Sequence, residues 1–207
     1  MCFLLLASLS VDAQIIRRVG VDLGYSHAKQ IWDYAANTGI TAPDIEPITG
    51  ISVGVFIELF DIPYFSVMAK CQYLAKGRII SVMETALDPN SHLGYVDLGI
   101  KKNAQRLDYL SVPLLAKCRI ETPQLAPYVA IGPCFEYLLN YPPTHVFSAF
   151  RKVEWTATIA MGCEISIASL PRLLVEADYN TSLTDPFKNE YVTVSDNSFE
   201  ILLGIVL

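Results

Sequence analysis

The residues best equipped for chemistry stand in "DLGYSH", residues 22–27, where Asp22, Ser26 and His27 fall within six positions. A carboxylate, a hydroxyl and an imidazole are the parts of a nucleophilic hydrolase. Their spacing argues against that use. Neighbours on an extended strand point to opposite faces, so Ser26 and His27 cannot meet. No catalytic residue is assigned. His92 and His145 have no metal-type spacing to each other, so neither a metal nor another cofactor is expected. A second set is dispersed: Asp22, Glu58, Lys70, Lys117, Arg119, Glu136, Glu164, Arg172, Glu176, Asp178 and Glu200. The acids alone would suit acid–base work or a cation path. With bases interleaved, the expectation is a self-neutralising structural network.

The elements that must position these groups are strands. In "RLLVEADYN", residues 172–180, Leu173, Val175, Ala177 and Tyr179 alternate with Arg172, Glu176 and Asp178. Such period-two patterning belongs to a strand with two unlike faces. It recurs in eight segments: 19–26, 50–60, 65–76, 108–120, 126–139, 153–167, 171–183 and 198–207. One face is apolar and uncharged throughout. The other is small, polar and charged with both signs, and it carries every member of the dispersed set.

The connections alternate in length. Segments 27–49, 77–107, 140–152 and 184–197 are long, and the turns at 61–64, 121–125 and 168–171 are short. Outer-membrane barrels sort their loops this way, with short periplasmic turns and longer extracellular loops. Aromatic residues follow the same logic. Tyr25, Tyr73, Tyr137, Trp155, Tyr179 and Phe199 share the apolar face and lie at the long-loop ends of their strands, as an interfacial girdle requires.

Composition agrees. Of 207 residues, 52% are hydrophobic and only 17% charged, which is apolar for a water-soluble domain. Mean hydropathy is +0.36. Yet no uncharged apolar run reaches the roughly 18 residues of a spanning helix. A net charge of −6 without a basic stripe disfavours nucleic acid as a partner. The reading is an all-β fold: an eight-stranded antiparallel up-and-down transmembrane β-barrel, with lipid outside and a packed polar lumen. A soluble lipocalin-like ligand-binding barrel would need the reverse, apolar inside and polar outside.

Residues 1–13, "MCFLLLASLSVDA", read as a secretory signal peptide, leaving 14–207 as one barrel domain. Cys71, Cys118 and Cys163 fall on the apolar face, where cysteine acts as a small hydrophobe. A bridge among Cys71, Cys118, Cys134 and Cys163 stays open. Pro113 and Pro133 lie inside strands, where local bulges are expected.

With those elements in place, "LDYLSVPLLAKCRI" followed by "APYVAIGPCFEYLL" resembles the PorT-like outer-membrane β-barrel family of Bacteroidetes-type bacteria. Tyr109, Leu110, Pro113, Leu114, Leu115 and Lys117 match one strand of its motif, and Pro127, Tyr128, Gly132 and Pro133 match the next. The resemblance implies an eight-stranded barrel in a Gram-negative outer membrane. The chain departs from the family habit of an aromatic last residue, because it ends in Leu207. The expected role is non-enzymatic, structural or interactive, as an accessory to secretion or adhesion. Both termini are expected in the periplasm. Partners are outer-membrane lipid and, through the long extracellular loops, another protein. A narrow channel for small solutes or ions is the alternative.

Overall fold

The computed structural model describes residues 16–34, 45–62, 64–87, 95–142, 150–167, 170–187 and 191–207. The expected signal peptide, His92 and His145 lie outside them. Eight strands follow one another: β1 (Ile16–Tyr34), β2 (Ile45–Ile62), β3 (Phe65–Leu87), β4 (Tyr95–Arg119), β5 (Leu125–Asn140), β6 (Val153–Ile165), β7 (Arg172–Ser182) and β8 (Val192–Val206). Each pairs antiparallel with its sequence neighbours, and β8 pairs with β1, so the sheet is a closed barrel. Closure leaves no strand edge and satisfies the ladder internally, which lipid demands.

The ladder climbs as it goes round. From Leu59 it passes through Val67, Ala116, Ile131, Ile159, Tyr179, Phe199 and His27, and returns to β2 at Thr49, ten residues along the same strand. A stagger of this kind tilts the strands and fixes the bore, and eight strands leave an interior that side chains can fill.

The two faces separate cleanly. Val21, Leu23, Val53, Val55, Leu114, Ile131, Met161, Val175 and Leu203 are exposed on the outside. Asp22, Glu58, Lys70, Lys117, Glu136, Glu164, Glu176 and Glu200 are buried inside. An apolar exterior around a charged interior is the inverse of a soluble ligand-binding barrel, so that reading falls.

Three expectations need correction. The long connections are shorter than alternation implied, because their polar flanks still pair. β3 and β4 pair from Phe65↔Cys118 to Leu87↔Tyr95, with one register shift between Glu84 and Thr85, so most of 77–107 is a hairpin and not a loop. Likewise β1 continues to Tyr34 and β2 begins at Ile45. Above the membrane neither face meets lipid, and the hydrophobic period that marks a strand disappears while the strand goes on.

The second correction concerns the prolines. The β4–β5 ladder runs from Pro113↔Cys134 to Ala116↔Ile131 without a change of register, and β5–β6 passes Pro133↔Ala157 unbroken. No bulge forms at either proline. A strand residue gives its N–H to one neighbour only, so proline removes a single bond. A Cβ on Gly132 would sit 2.0 Å from the Leu114 carbonyl oxygen, so glycine lets β4 and β5 close up beside the gap. The third correction is to the lumen, which is not uniformly small and polar. Phe56, Met68, Leu74, Leu115, Tyr128, Leu174 and Leu202 are buried in it.

Candidate functional site

The lumen charges are arranged in tiers. At the short-turn mouth, Glu58 and Glu164 sit among bases. Lys117 Nζ lies 2.9 Å from Glu58 and 2.6 Å from Glu164. Arg119 reaches Glu58 at 2.9 Å, Arg18 reaches Glu164 at 2.6 Å, and Arg172 reaches Glu164 at 3.4 Å. Ser66 donates to Glu58 at 3.0 Å.

The middle tier is acidic. Lys70 Nζ donates to Glu176 and, at 3.0 Å, to Asp178. Glu200 accepts from Asn180 Nδ2 at 2.7 Å and from Gln72 Nε2 at 3.2 Å. Asp22 is buried, and neither of its carboxylate oxygens has a protein donor. Tyr128 joins the two tiers. Its hydroxyl donates to Glu176, and Lys117 Nζ stands 3.9 Å from its ring centroid. A cation over an aromatic face is held by the ring quadrupole.

The third tier lies towards the long-loop mouth. Lys76 Nζ donates to Glu136 at 2.7 and 2.8 Å, and Glu154 and Asp196 are buried beside it. Above them the lumen turns apolar. Trp32, Leu107, Tyr109, Leu138, Phe150, Phe187, Val192 and Val194 form one buried cluster. Phe150 and Phe187 bridge the loops after β5 and β7, and the Trp32 ring lies 5.4 Å from that of Phe187. Arg78 stacks on Trp32 at 3.9 Å.

All eleven sequence-predicted charged residues lie on the lumen side, arranged in tiers of which Tyr128 links the lower two. Glu136 pairs with Lys76, outside the predicted set. Lys76, Arg78, Glu154 and Asp196 were missed. Glu154 and Lys76 carry the inward parity of their own segments and were legible. Arg78 and Asp196 were hidden because their strands continue into stretches read as loops. Of the six aromatic residues, Tyr25, Tyr137, Trp155, Tyr179 and Phe199 are exposed on the outer face. Tyr73 is half-buried, its hydroxyl donating to Asp108 at 2.6 Å and accepting from Arg106. Ser26 points inward and donates to the Ala75 carbonyl at 2.9 Å, while His27 faces outward. The hydrolase arrangement is not assembled. The four cysteines Cys71, Cys118, Cys134 and Cys163 are free thiols. Among the described residues no group of His, Cys, Asp or Glu is arranged to hold a metal.

Glu121, in the β4–β5 turn, draws the mouth together. Arg17 and Arg18 donate to it at 3.0 and 2.8 Å, and Arg119 Nε lies 3.3 Å away. Partial burial pushes its pKa up, but the hydrogen bond from Arg18 and the charges of Arg17, Arg18 and Arg172 outweigh this and hold it below 4.5. A depressed carboxylate stabilises the fold above its unfolded pKa and loses that contribution as pH falls through the folded value. Wild type should therefore be more resistant to urea than Glu121→Gln at pH 7, with the two converging below pH 4.5. Urea midpoints at pH 7 and in steps below pH 4.5 would check this, and parallel curves would refute it.

An eight-stranded closed barrel with an apolar exterior, a filled charged lumen and short turns at one end defines an outer-membrane β-barrel protein. The chain belongs to the family described as the outer membrane protein beta-barrel domain, which it matches over residues 13–188. Among solved structures it is similar to the outer membrane protein OprG from Pseudomonas aeruginosa. That match has 10% identity and a TM-score of 0.53, and covers 92% of this chain and 95% of that one. It is also similar to outer membrane protein AlkL in lipid bilayers, at 13% identity and TM-score 0.50, covering 96% and 94%. Identities this low speak for the fold alone. Among curated proteins none matches the chain.

Proposed function

We propose that this is a non-conducting, non-enzymatic outer-membrane barrel whose β3–β4 hairpin is its interaction surface. In this reading the long-loop end is extracellular and both termini are periplasmic. The six aromatic residues then form the outer girdle, and the eleven charged residues brace the lumen. A PorT-like accessory role in secretion or adhesion fits a barrel that binds without transporting.

The hairpin carries the proposal. Met83 stands ten residues beyond Tyr73, or about 30 Å of extended strand. At that height Met83 and Ile100 are cross-strand partners with 63% and 74% of their surfaces exposed, and Leu98 is exposed beside them. Lys102 pairs with Glu46 of β2 below this rung, and Lys101 pairs with Glu84 diagonally across it, so salt bridges brace the ribbon on both sides of the apolar pair. Large apolar residues on an exposed, braced ribbon are costly in water and are suited to burial against another protein.

The purified protein in a planar bilayer should be electrically silent, because side chains fill the lumen and the apolar cluster covers one mouth. Steady single-channel steps would overturn the non-conducting half of the reading and favour the narrow channel. On intact cells, a photoreactive residue at Ile100 should give a discrete protein adduct, and one at lipid-facing Val175 should not. Failure of the Ile100 probe would remove the hairpin as the interaction surface.

A further inference from the structure

The short-turn mouth holds a cavity that the tiers do not fill. It measures about 430 Å³, and Arg17, Arg18 and Arg172 line it together with Leu170, Pro171 and Leu207. Among the described residues, the mouth gathers five side-chain cations, Arg17, Arg18, Lys117, Arg119 and Arg172, around three side-chain carboxylates, Glu58, Glu121 and Glu164, and the Leu207 α-carboxylate. The excess is positive, and it has donors to spare. A guanidinium carries five N–H groups. Arg172 uses one, in its 3.4 Å contact with Glu164.

A second feature lies directly above this cavity. An outer groove of about 610 Å³ follows the seam where β1 and β7 flank β8, walled by Val21, Leu23, Val55, Leu173, Leu203 and Ile205. The two sites are adjacent in register. Arg172 pairs with Val206 of β8, and the next rung joins Leu173 to Ile205, which pairs in turn with Val21. Arg17 stands at the foot of the same seam, where the β1–β2 register slips between Ile16 and Arg18.

We infer that this seam is a binding site for one anionic phospholipid of the leaflet at the short-turn end. The phosphate would sit among Arg17, Arg18 and Arg172, and an acyl chain would lie in the groove. Guanidinium groups match phosphate oxygens with paired, charge-assisted hydrogen bonds. A free phosphate would use only the lower cavity. The apolar groove continuing from it is what selects a lipid.

The test uses the full-length barrel in nanodiscs of equal parts phosphatidylglycerol and phosphatidylcholine, released into native mass spectrometry. Wild type should retain phosphatidylglycerol in preference to phosphatidylcholine. Arg17→Gln with Arg172→Gln should lower that preference about tenfold, the scale of one charge-assisted hydrogen bond. Leu203→Trp, which fills the groove without touching a charge, should lower retention as well. Equal retention of both lipids by wild type, or undiminished preference in the variants, would overturn the inference. So would displacement of phosphatidylglycerol by millimolar inorganic phosphate, which would make the cavity a simple anion site. Each variant is first required to show the heat-dependent gel shift of a folded barrel, so loss of the fold is read separately from loss of the lipid.

Discussion

Lys70→Met should destabilise the barrel by about 3–5 kcal/mol, the usual cost of leaving a buried charge without its partner. The argument is local. Among the described residues Lys70 is the sole cation bonded to Glu176 and Asp178, and all three are buried. Without the ammonium, Glu176 keeps one donor, the Tyr128 hydroxyl. Asp178 loses its salt bridge, and one of its oxygens already lacks a partner. Glu200 and Asp22 stand close enough to add repulsion. Methionine matches the stem of lysine in length, so packing changes little and the loss reports the charge. The measurement is a urea titration of the detergent-folded protein, read by the gel shift between folded and heated bands. Lys70→Met combined with Glu176→Gln should recover part of the loss, since removing both charges relieves what removing one creates. A single-variant cost below about 1 kcal/mol, the range of a solvated surface pair, would mean that water reaches this tier.

Lys70 also illustrates what the sequence could reveal. Its parity put it in the lumen, because alternation fixes the face of a residue wherever one side meets lipid. Alternation also located Glu176 and Asp178 on the same side. It could not pair them with Lys70 across the bore, because partners on opposite walls are set by the stagger of the whole ladder, which no single strand records. The tiers were invisible for the same reason. Above the girdle the signal fails in another way. Lys76 is the last residue of its alternating run, while Arg78 and Asp196 stand where both faces meet protein or water, so no hydrophobic period marks them. The β3–β4 hairpin is held there by backbone bonds and by the pairs Lys101–Glu84 and Lys102–Glu46, which periodicity does not detect.

The second large effect is expected from a residue with no chemistry. Gly162 faces the lumen on β6, opposite Tyr128 of β5. A Cβ built there would stand 2.5 Å from both the hydroxyl and Cζ of Tyr128, so the ring occupies the space that glycine leaves. Gly162→Val must therefore push the ring aside. That breaks its bond to Glu176 and removes the aromatic face from Lys117, disturbing two tiers through one side chain. Overpacking alone costs about 1–3 kcal/mol, and orphaning the Glu176 acceptor adds about 1–3 more. Tyr128→Phe separates the parts: it removes only the hydroxyl and should cost about 1.5–3 kcal/mol, in the range of one hydrogen bond to a charged group. Tyr128→Ala with Gly162→Val restores room and should be no worse than Tyr128→Ala alone, because the clash vanishes with the ring. The same urea titration reads all four variants. If Gly162→Val matched wild type, the Tyr128 ring would have to lie elsewhere, and the link between the basic mouth and the acidic middle tier would be lost with it.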